Sequence, residues 1–173
     1  AGLLVELAGA GLSLLEQELA KLAAYVGDRE RIGVEDVRAV VGGWRAETTW
    51  QMTDAVRDGQ PATALVALGK LLHSGEAPQR ILGGLNYNFR KYARATELAR
   101  DGTPLRAALQ QAGVFPQQID ATERYLRRIG RPRAERIRAR LLEADRGLKG
   151  GSRVDDLLQL ELLLLELSGS LPR

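Results

Sequence analysis

The positions of glycine and proline constrain the fold of this chain more than any other feature. Five times a glycine is followed two or three residues later by a proline: Gly59/Pro61, Gly75/Pro78, Gly102/Pro104, Gly113/Pro116 and Gly130/Pro132. Glycine suits the left-handed conformation just past a helix end, and proline suits the first turn of a helix because its missing N–H is not needed there. The pattern predicts an all-α protein whose helices are joined by tight turns.

Apolar residues between these turns recur at helical spacing. The expected inner faces consist of Leu65, Leu68, Leu71 and Leu72 in residues 61–74, and of Ile81, Leu82, Leu85, Phe89, Tyr92 and Thr96 in residues 78–101. Further helices are expected over about 105–112, 117–129, 132–148 and 154–168. The last of these is apolar nearly all round, which is typical of a helix inside a core or in a protein interface. If it is core, Leu162→Asp or Leu163→Asp abolishes soluble folding.

The first forty residues predict a separate small unit. A helix is expected over about 12–25, with an inner set, Leu15, Leu19 and Leu22, and an outer set, Glu18 and Lys21. Gly27 ends this helix. A short helix follows Gly33, with acidic residues in its first turn, where the helix dipole favours them. Gly42 and Gly43 close the unit, so a domain boundary is expected near residue 43.

The residues that carry chemistry are scarce. The absence of cysteine excludes disulfides, thiolate metal sites and a cysteine nucleophile, and is typical of a reducing cytoplasm. His73 is the sole histidine and falls at a predicted helix end. Asp145 and Lys149 are spaced for an ordinary intrahelical ion pair. We therefore expect no catalytic residue, cofactor or metal, and no membrane span, because the apolar run 157–167 is far shorter than the ~20 residues that a span needs.

One stretch stands out by its charge. Residues 124–153 contain eleven basic and three acidic side chains, a net charge of +8 in a chain whose total is +3. A solvated arginine-rich face is the simpler interpretation. The alternative is a contact surface for phosphate backbones or for an acidic neighbouring subunit. The candidate contact residues are Arg124, Arg127, Arg128, Arg136 and Arg140.

Several motifs follow one another in a familiar order. Residues 12–25 fit the pattern Leu-x-x-Glu-Leu-x-Lys-Leu, and blocks at 32–41, 50–65 and 71–82 follow. Residues 141–150, which include Asp145, Lys149 and Gly150, are similar to the pattern Ala-Asp-x-x-x-Lys-x-Gly, and a second glycine, Gly151, comes next. This order resembles the delta subunit of the bacterial DNA polymerase III clamp loader, from its lid onward. A chain that opens with Ala-Gly-Leu-Leu and no methionine is then expected to be part of a longer protein.

The resemblance implies two domains: residues 1–43 as the lid part of an AAA+ module, and residues 44–173 as a helical collar. The collar would assemble with the tau/gamma and delta-prime subunits in the bacterial cytoplasm, without hydrolysing ATP. The family contacts the sliding clamp through an N-terminal domain that is not in this chain, and DNA would be reached only within the full complex. The alternative function is a stand-alone helical nucleic-acid-binding module that uses the basic stretch 124–153.

Overall fold

The computed structural model describes Leu4, residues 12–41 and residues 43–171. Within these ranges the chain forms helices and no β-strand, as predicted. The helices are α1 (Leu12–Val26), α2 (Val34–Val40), α3 (Gly43–Asp58), α4 (Pro61–His73), α5 (Pro78–Arg100), α6 (Leu105–Gln111), α7 (Ile119–Ile129), α8 (Arg131–Arg146) and α9 (Asp156–Ser168). A 3₁₀ turn (Pro116–Gln118) precedes α7, and a π-helical turn (Gly147–Gly151) follows α8.

The turns between α3 and α8 are built as the glycine–proline pairs predict. The five paired glycines have φ values between 75° and 100°, a conformation that glycine adopts without steric cost. Pro61 and Pro78 are the first residues of α4 and α5, and Pro132 is the second residue of α8. Pro104 immediately precedes α6, and Pro116 opens the 3₁₀ turn. The predicted helix ends are therefore confirmed.

The chain divides into two compact units, one ending at Trp50 and the other beginning at Gln51. The division lies inside α3. The predicted boundary between a lid and a collar near residue 43 is an assignment of family domains, and it stays a prediction. No helix in the described ranges is both long and apolar enough to cross a membrane.

In the first unit, α1 packs against α2. The predicted inner and outer sets of α1 are partly wrong, because Glu18 is buried and Leu19 is exposed. The side that the helix buries follows Leu15, Glu18, Leu22 and Val26, which are spaced three or four residues apart. Lys21 reaches over this side, and its Nζ lies 2.7 Å from Glu18 Oε2. The ion pair gives the carboxylate a partner at the edge of the apolar side.

The second unit is organised around α5. This helix packs against α8 and α6, while α9 packs against α4, α8 and α5. Phe89 and Tyr92 of α5 meet Tyr125 of α7, with ring centroids 5.2 Å apart within α5 and 5.9 Å apart between the helices. The residues predicted for the inner faces are buried or packed against the core, and they are Leu65, Leu68, Leu71, Leu72, Ile81, Leu82, Leu85, Phe89, Tyr92 and Thr96.

Candidate contact surfaces

Helix α9 buries one side and exposes the other. Its inner side consists of Leu160, Leu163, Leu164 and Leu167, all buried. Val154, just before the helix, and Leu157, Leu158 and Leu162 within it form the outer face of α9, where each side chain is between 42% and 45% exposed. The helix is therefore part core and part surface. This placement contradicts the expectation for Leu162→Asp, because Leu162 faces solvent, and leaves it standing for Leu163→Asp.

A groove of about 420 Å³ runs beside this face, between the end of α8 and α9. Its apolar lining includes Val154, Leu162 and Leu163. The charged side chains in its wall are Arg140, Glu143, Arg146 and Glu166. The groove thus has apolar residues of the outer face of α9 on one side and charged side chains beside them.

Only part of that charge is neutralised within the groove. Arg140 lies 2.6 Å from Glu143 and 3.1 Å from Glu166, and the hydrogen bond with Glu143 raises the pKa of the Arg140 guanidinium above its ordinary value. Arg146 is exposed, and its side chain makes no hydrogen bond or ion pair with any described residue. Within the groove, Arg140 is therefore neutralised by two glutamates, whereas Arg146 has no counterion among the described residues.

The π-helical turn contributes Gly147 and Gly151 to the lining of the groove and depends on glycine. Gly150 has a φ of 91°, a backbone conformation that residues with a Cβ atom rarely adopt. A Cβ atom on Gly151 would lie 2.6 Å from the carbonyl oxygen of Arg146, so only glycine allows that approach. Lys149 Nζ lies 2.8 Å from Asp145 Oδ2, so the predicted ion pair at i, i+4 forms, but Lys149 lies in the turn beyond the end of α8 and not within the helix. The Asp-x-x-x-Lys-Gly-Gly segment is thus a turn that redirects the chain from α8 to α9.

Of the five predicted contact residues, Arg128 has the most interactions within the chain, and it hydrogen-bonds to the carboxyl ends of α3 and α9. Its Nη2 donates to the carbonyl oxygens of Arg57, at 3.0 Å, and of Ser168, at 3.4 Å. The guanidinium also lies over the ring of Tyr125, 5.7 Å from its centroid. Because the last carbonyl groups of a helix lack intrahelical donors, Arg128 supplies donors to the ends of α3 and α9 together.

The other four predicted arginines differ in their surroundings. Arg127 lies 2.7 Å from Glu123 on α7, and Arg140 has the two partners given above. Arg124 and Arg136 are exposed, and their side chains make no hydrogen bond or close ion pair with a described residue. The structure does not bring the five side chains together as one set of unpaired cations.

Acidic residues outside the basic stretch also reduce its charge. Glu97 pairs with Arg138, Glu123 with Arg127, and Glu166 with Arg140. A count of charges along residues 124–153 could not include these partners, which come from other helices or from just before the stretch. The basic surface is therefore weaker than its sequence suggests.

Two further residues that tie α9 into the unit were not singled out from the sequence. Arg133 donates to the carbonyl oxygens of Gly169, at 2.6 Å, and of Leu171, at 2.8 Å. Tyr125 donates from its hydroxyl to the carbonyl oxygen of Leu167 at 2.8 Å, and burial raises the pKa of Tyr125 far above its ordinary value. The apolar pattern of α7 indicates that Tyr125 is buried, but no local signal indicates an acceptor this far along the chain.

The described residues contain no group of three or more His, Cys, Asp or Glu side chains that could hold a metal ion. His73 is exposed at the last position of α4. The candidate features for function are two surfaces: the outer face of α9 with its groove, and the exposed arginines.

Comparison with known proteins shows which family the chain belongs to. The model of the "DNA polymerase III delta subunit, C-terminal domain" family matches residues 46–167, well over half of the chain. The chain therefore belongs to this family, and the resemblance seen in its motifs is confirmed.

One curated relative is the DNA polymerase III subunit delta of Bacillus subtilis (strain 168). It is 26% identical over 164 residues, which cover 95% of this chain and 47% of the relative. The solved structure of the Bacillus subtilis DNA clamp loader delta protein (YqeN) is similar, with a TM-score of 0.56 and 25% identity over 95% of this chain and 48% of that one. The chain thus spans about half the length of these relatives.

Proposed function

We propose that the chain is an assembly part of a delta subunit in a bacterial clamp loader, that it binds other clamp-loader subunits, and that it catalyses no reaction itself. The observation that carries this proposal is the outer face of α9, where four large aliphatic side chains are each more than 40% exposed. Clustered apolar side chains on a folded surface are typical of protein interfaces. The family supplies the partners, because its relatives are described as DNA polymerase III and clamp-loader delta subunits.

The outer face can contribute appreciably to binding. Full burial of a leucine or valine side chain stabilises by about 1.5–3 kcal/mol, so covering four half-exposed ones is worth several kcal/mol in total. Association costs at least about 4 kcal/mol in lost freedom of motion. The outer face alone therefore gives weak binding, and a stable complex needs further contacts around it.

The roles that we propose for the two parts of the chain are those of the corresponding domains in the family. Residues 44–173 act as the collar and residues 1–43 as the lid part of an AAA+ module, in the bacterial cytoplasm. The collar binds the tau/gamma and delta-prime subunits. Contact with the sliding clamp belongs to the N-terminal domain of the family, outside this chain.

Co-purification tests this proposal. The chain is mixed with the tau/gamma and delta-prime subunits of its source, and the mixture is separated by size-exclusion chromatography beside each component alone. We expect the chain to elute in a larger complex with at least one of them. Elution of every component at its own position, at concentrations of tens of micromolar, would refute the proposal.

The nucleic-acid-binding alternative can be tested without disturbing the fold. Arg128 and Arg140 are engaged within the chain, so charge reversal there changes structure as well as charge. The double variant Arg124→Glu/Arg136→Glu changes the two candidate arginines whose side chains make no hydrogen bond or close ion pair with a described residue. If they contact phosphates, DNA affinity falls and the slope of log K against log[salt] decreases by about 2. An unchanged slope would remove these two residues as phosphate contacts.

A further inference from the structure

The outer face of α9 has the spacing that helix packing uses. Leu158 and Leu162 are separated by four residues, and half-buried Leu165 follows three residues later. This stripe extends over about 10 Å at a rise of 1.5 Å per residue. Alternating spacings of four and three residues are typical of the apolar seam along which two helices pack side by side. The face is therefore shaped for an apolar helical stripe.

Arg146 sets the charge that such a helix must carry. It lines the same groove as Val154 and Leu162, and it has no hydrogen-bond or ion-pair partner among the described residues. A helix laid into the groove would remove water from the Arg146 guanidinium. A desolvated cation without a counterion is strongly unfavourable. The neighbouring Arg140 makes no such demand, because Glu143 and Glu166 already bind it.

We infer that the groove between α8 and α9, together with the adjoining outer face of α9, receives an amphipathic helix of another clamp-loader subunit, whose leucine-like stripe covers Leu158 and Leu162 and whose flanking aspartate or glutamate binds Arg146. The inference rests on the proposed function and specifies the partner for that surface. The carboxylate fixes the rotation of the partner helix about its own axis, since the acidic side chain must lie beside the apolar stripe on the side nearest α8. Apolar burial supplies affinity, and the ion pair supplies specificity.

The test uses the complex found by co-purification and measures its dissociation constant by isothermal titration calorimetry. The variants are Leu158→Asp, Leu162→Asp, Arg146→Glu and Arg146→Lys. The matched control is Val66→Asp on α4, because Val66 is 60% exposed and does not line the groove. Circular dichroism melts show for each variant whether the fold is retained.

We expect Leu158→Asp, Leu162→Asp and Arg146→Glu each to weaken binding by about tenfold or more, while the melting temperature stays within a few degrees of the wild type. Arg146→Lys keeps the charge and should stay closer to the wild type, and Val66→Asp should change binding by no more than about twofold. Wild-type affinity in Leu158→Asp, Leu162→Asp and Arg146→Glu would overturn the inference while leaving the proposed function intact, whatever the affinity of Val66→Asp.

Two other outcomes are distinguishable. If the wild-type chain binds no clamp-loader subunit, the proposed function fails and the inference fails with it. Sedimentation of the chain alone shows whether a second copy occupies the groove. A dimer that Leu162→Asp converts to a monomer would overturn the assignment to another subunit.

Discussion

The two halves of α9 are held very differently. At its carboxyl end, Arg128, Arg133 and Tyr125 donate hydrogen bonds to the carbonyl oxygens of the last turn and the residues after it. Along its amino-terminal half, the outer face of α9 is uncovered. The comparison shows that the second unit fixes this helix by its end and by its inner side, so that its outer side can stay free without loosening the helix.

The largest expected effect separates the two sides of α9. Leu163 is 3% exposed and Leu162 is 42% exposed, although they are neighbours of the same type. We expect Leu163→Asp to cost more than about 4 kcal/mol of folding free energy, because it places a carboxylate in the core, and to abolish the cooperative thermal transition. Leu162→Asp should cost less than about 1 kcal/mol. Equal loss of structure in both variants, measured by circular dichroism, would show that the outer face is not a free surface.

The next largest effect concerns the carboxyl end of α9, where Tyr125 donates a hydrogen bond. Tyr125→Phe removes the hydroxyl that donates to Leu167 and leaves a buried carbonyl oxygen without that donor. We expect a loss of about 2 kcal/mol in the free energy of unfolding, measured by urea denaturation. Tyr25→Phe is the control, since Tyr25 is 56% exposed on α1 and should change little. A neutral Tyr125→Phe variant would mean that this bond does not fix the end of α9.

Arg128 should matter less than Tyr125, because it is partly exposed to solvent. Arg128→Ala removes the donor shared by the ends of α3 and α9, and we expect a loss of about 1.5 kcal/mol. Its neighbour Arg127, which pairs with Glu123 on the surface, provides the matched control, and Arg127→Ala should cost no more than about 0.5 kcal/mol. Similar losses in the two variants would assign both arginines to ordinary surface pairing.

The smallest effect is a dependence on alkaline pH. Burial raises the pKa of Tyr125 in the folded chain above its ordinary value near 10. The unfolded chain therefore loses this proton first, so stability is present below about pH 10 and declines as the pH rises above it. From pH 10 to 11 the wild type should lose about 1 kcal/mol more than Tyr125→Phe. Parallel pH profiles of unfolding for the two proteins would contradict the assignment.

The sequence was most informative about where helices end and least informative about which side they bury. Glycine and proline act locally, so Gly59/Pro61 and Gly75/Pro78 could be interpreted without knowledge of packing. Helix α3 was not predicted as a helix from periodicity, because it buries Met52, Ala55 and Val56 beside polar Thr53 and Arg57, and no clear apolar stripe marks it.

The candidate surface was predictable only in outline. Leucine at nearly every position of α9 indicated core or interface, but identical side chains cannot show which side faces inward. The pair Asp145–Lys149 followed from helical spacing alone. The bonds from Arg128 and from Tyr125 did not, because their acceptors lie tens of residues away and are brought close only by packing.

Helix α3 has a practical consequence for dissecting the protein. Because the division between the compact units falls inside this helix, proteases have no extended segment to attack there. The first cleavage in the described ranges is expected instead in the exposed turn 27–33 between α1 and α2. Trypsin would find Arg29 and Arg31 in that turn, so limited digestion would separate α1 from the rest of the chain before it released the helical unit that begins at Gln51.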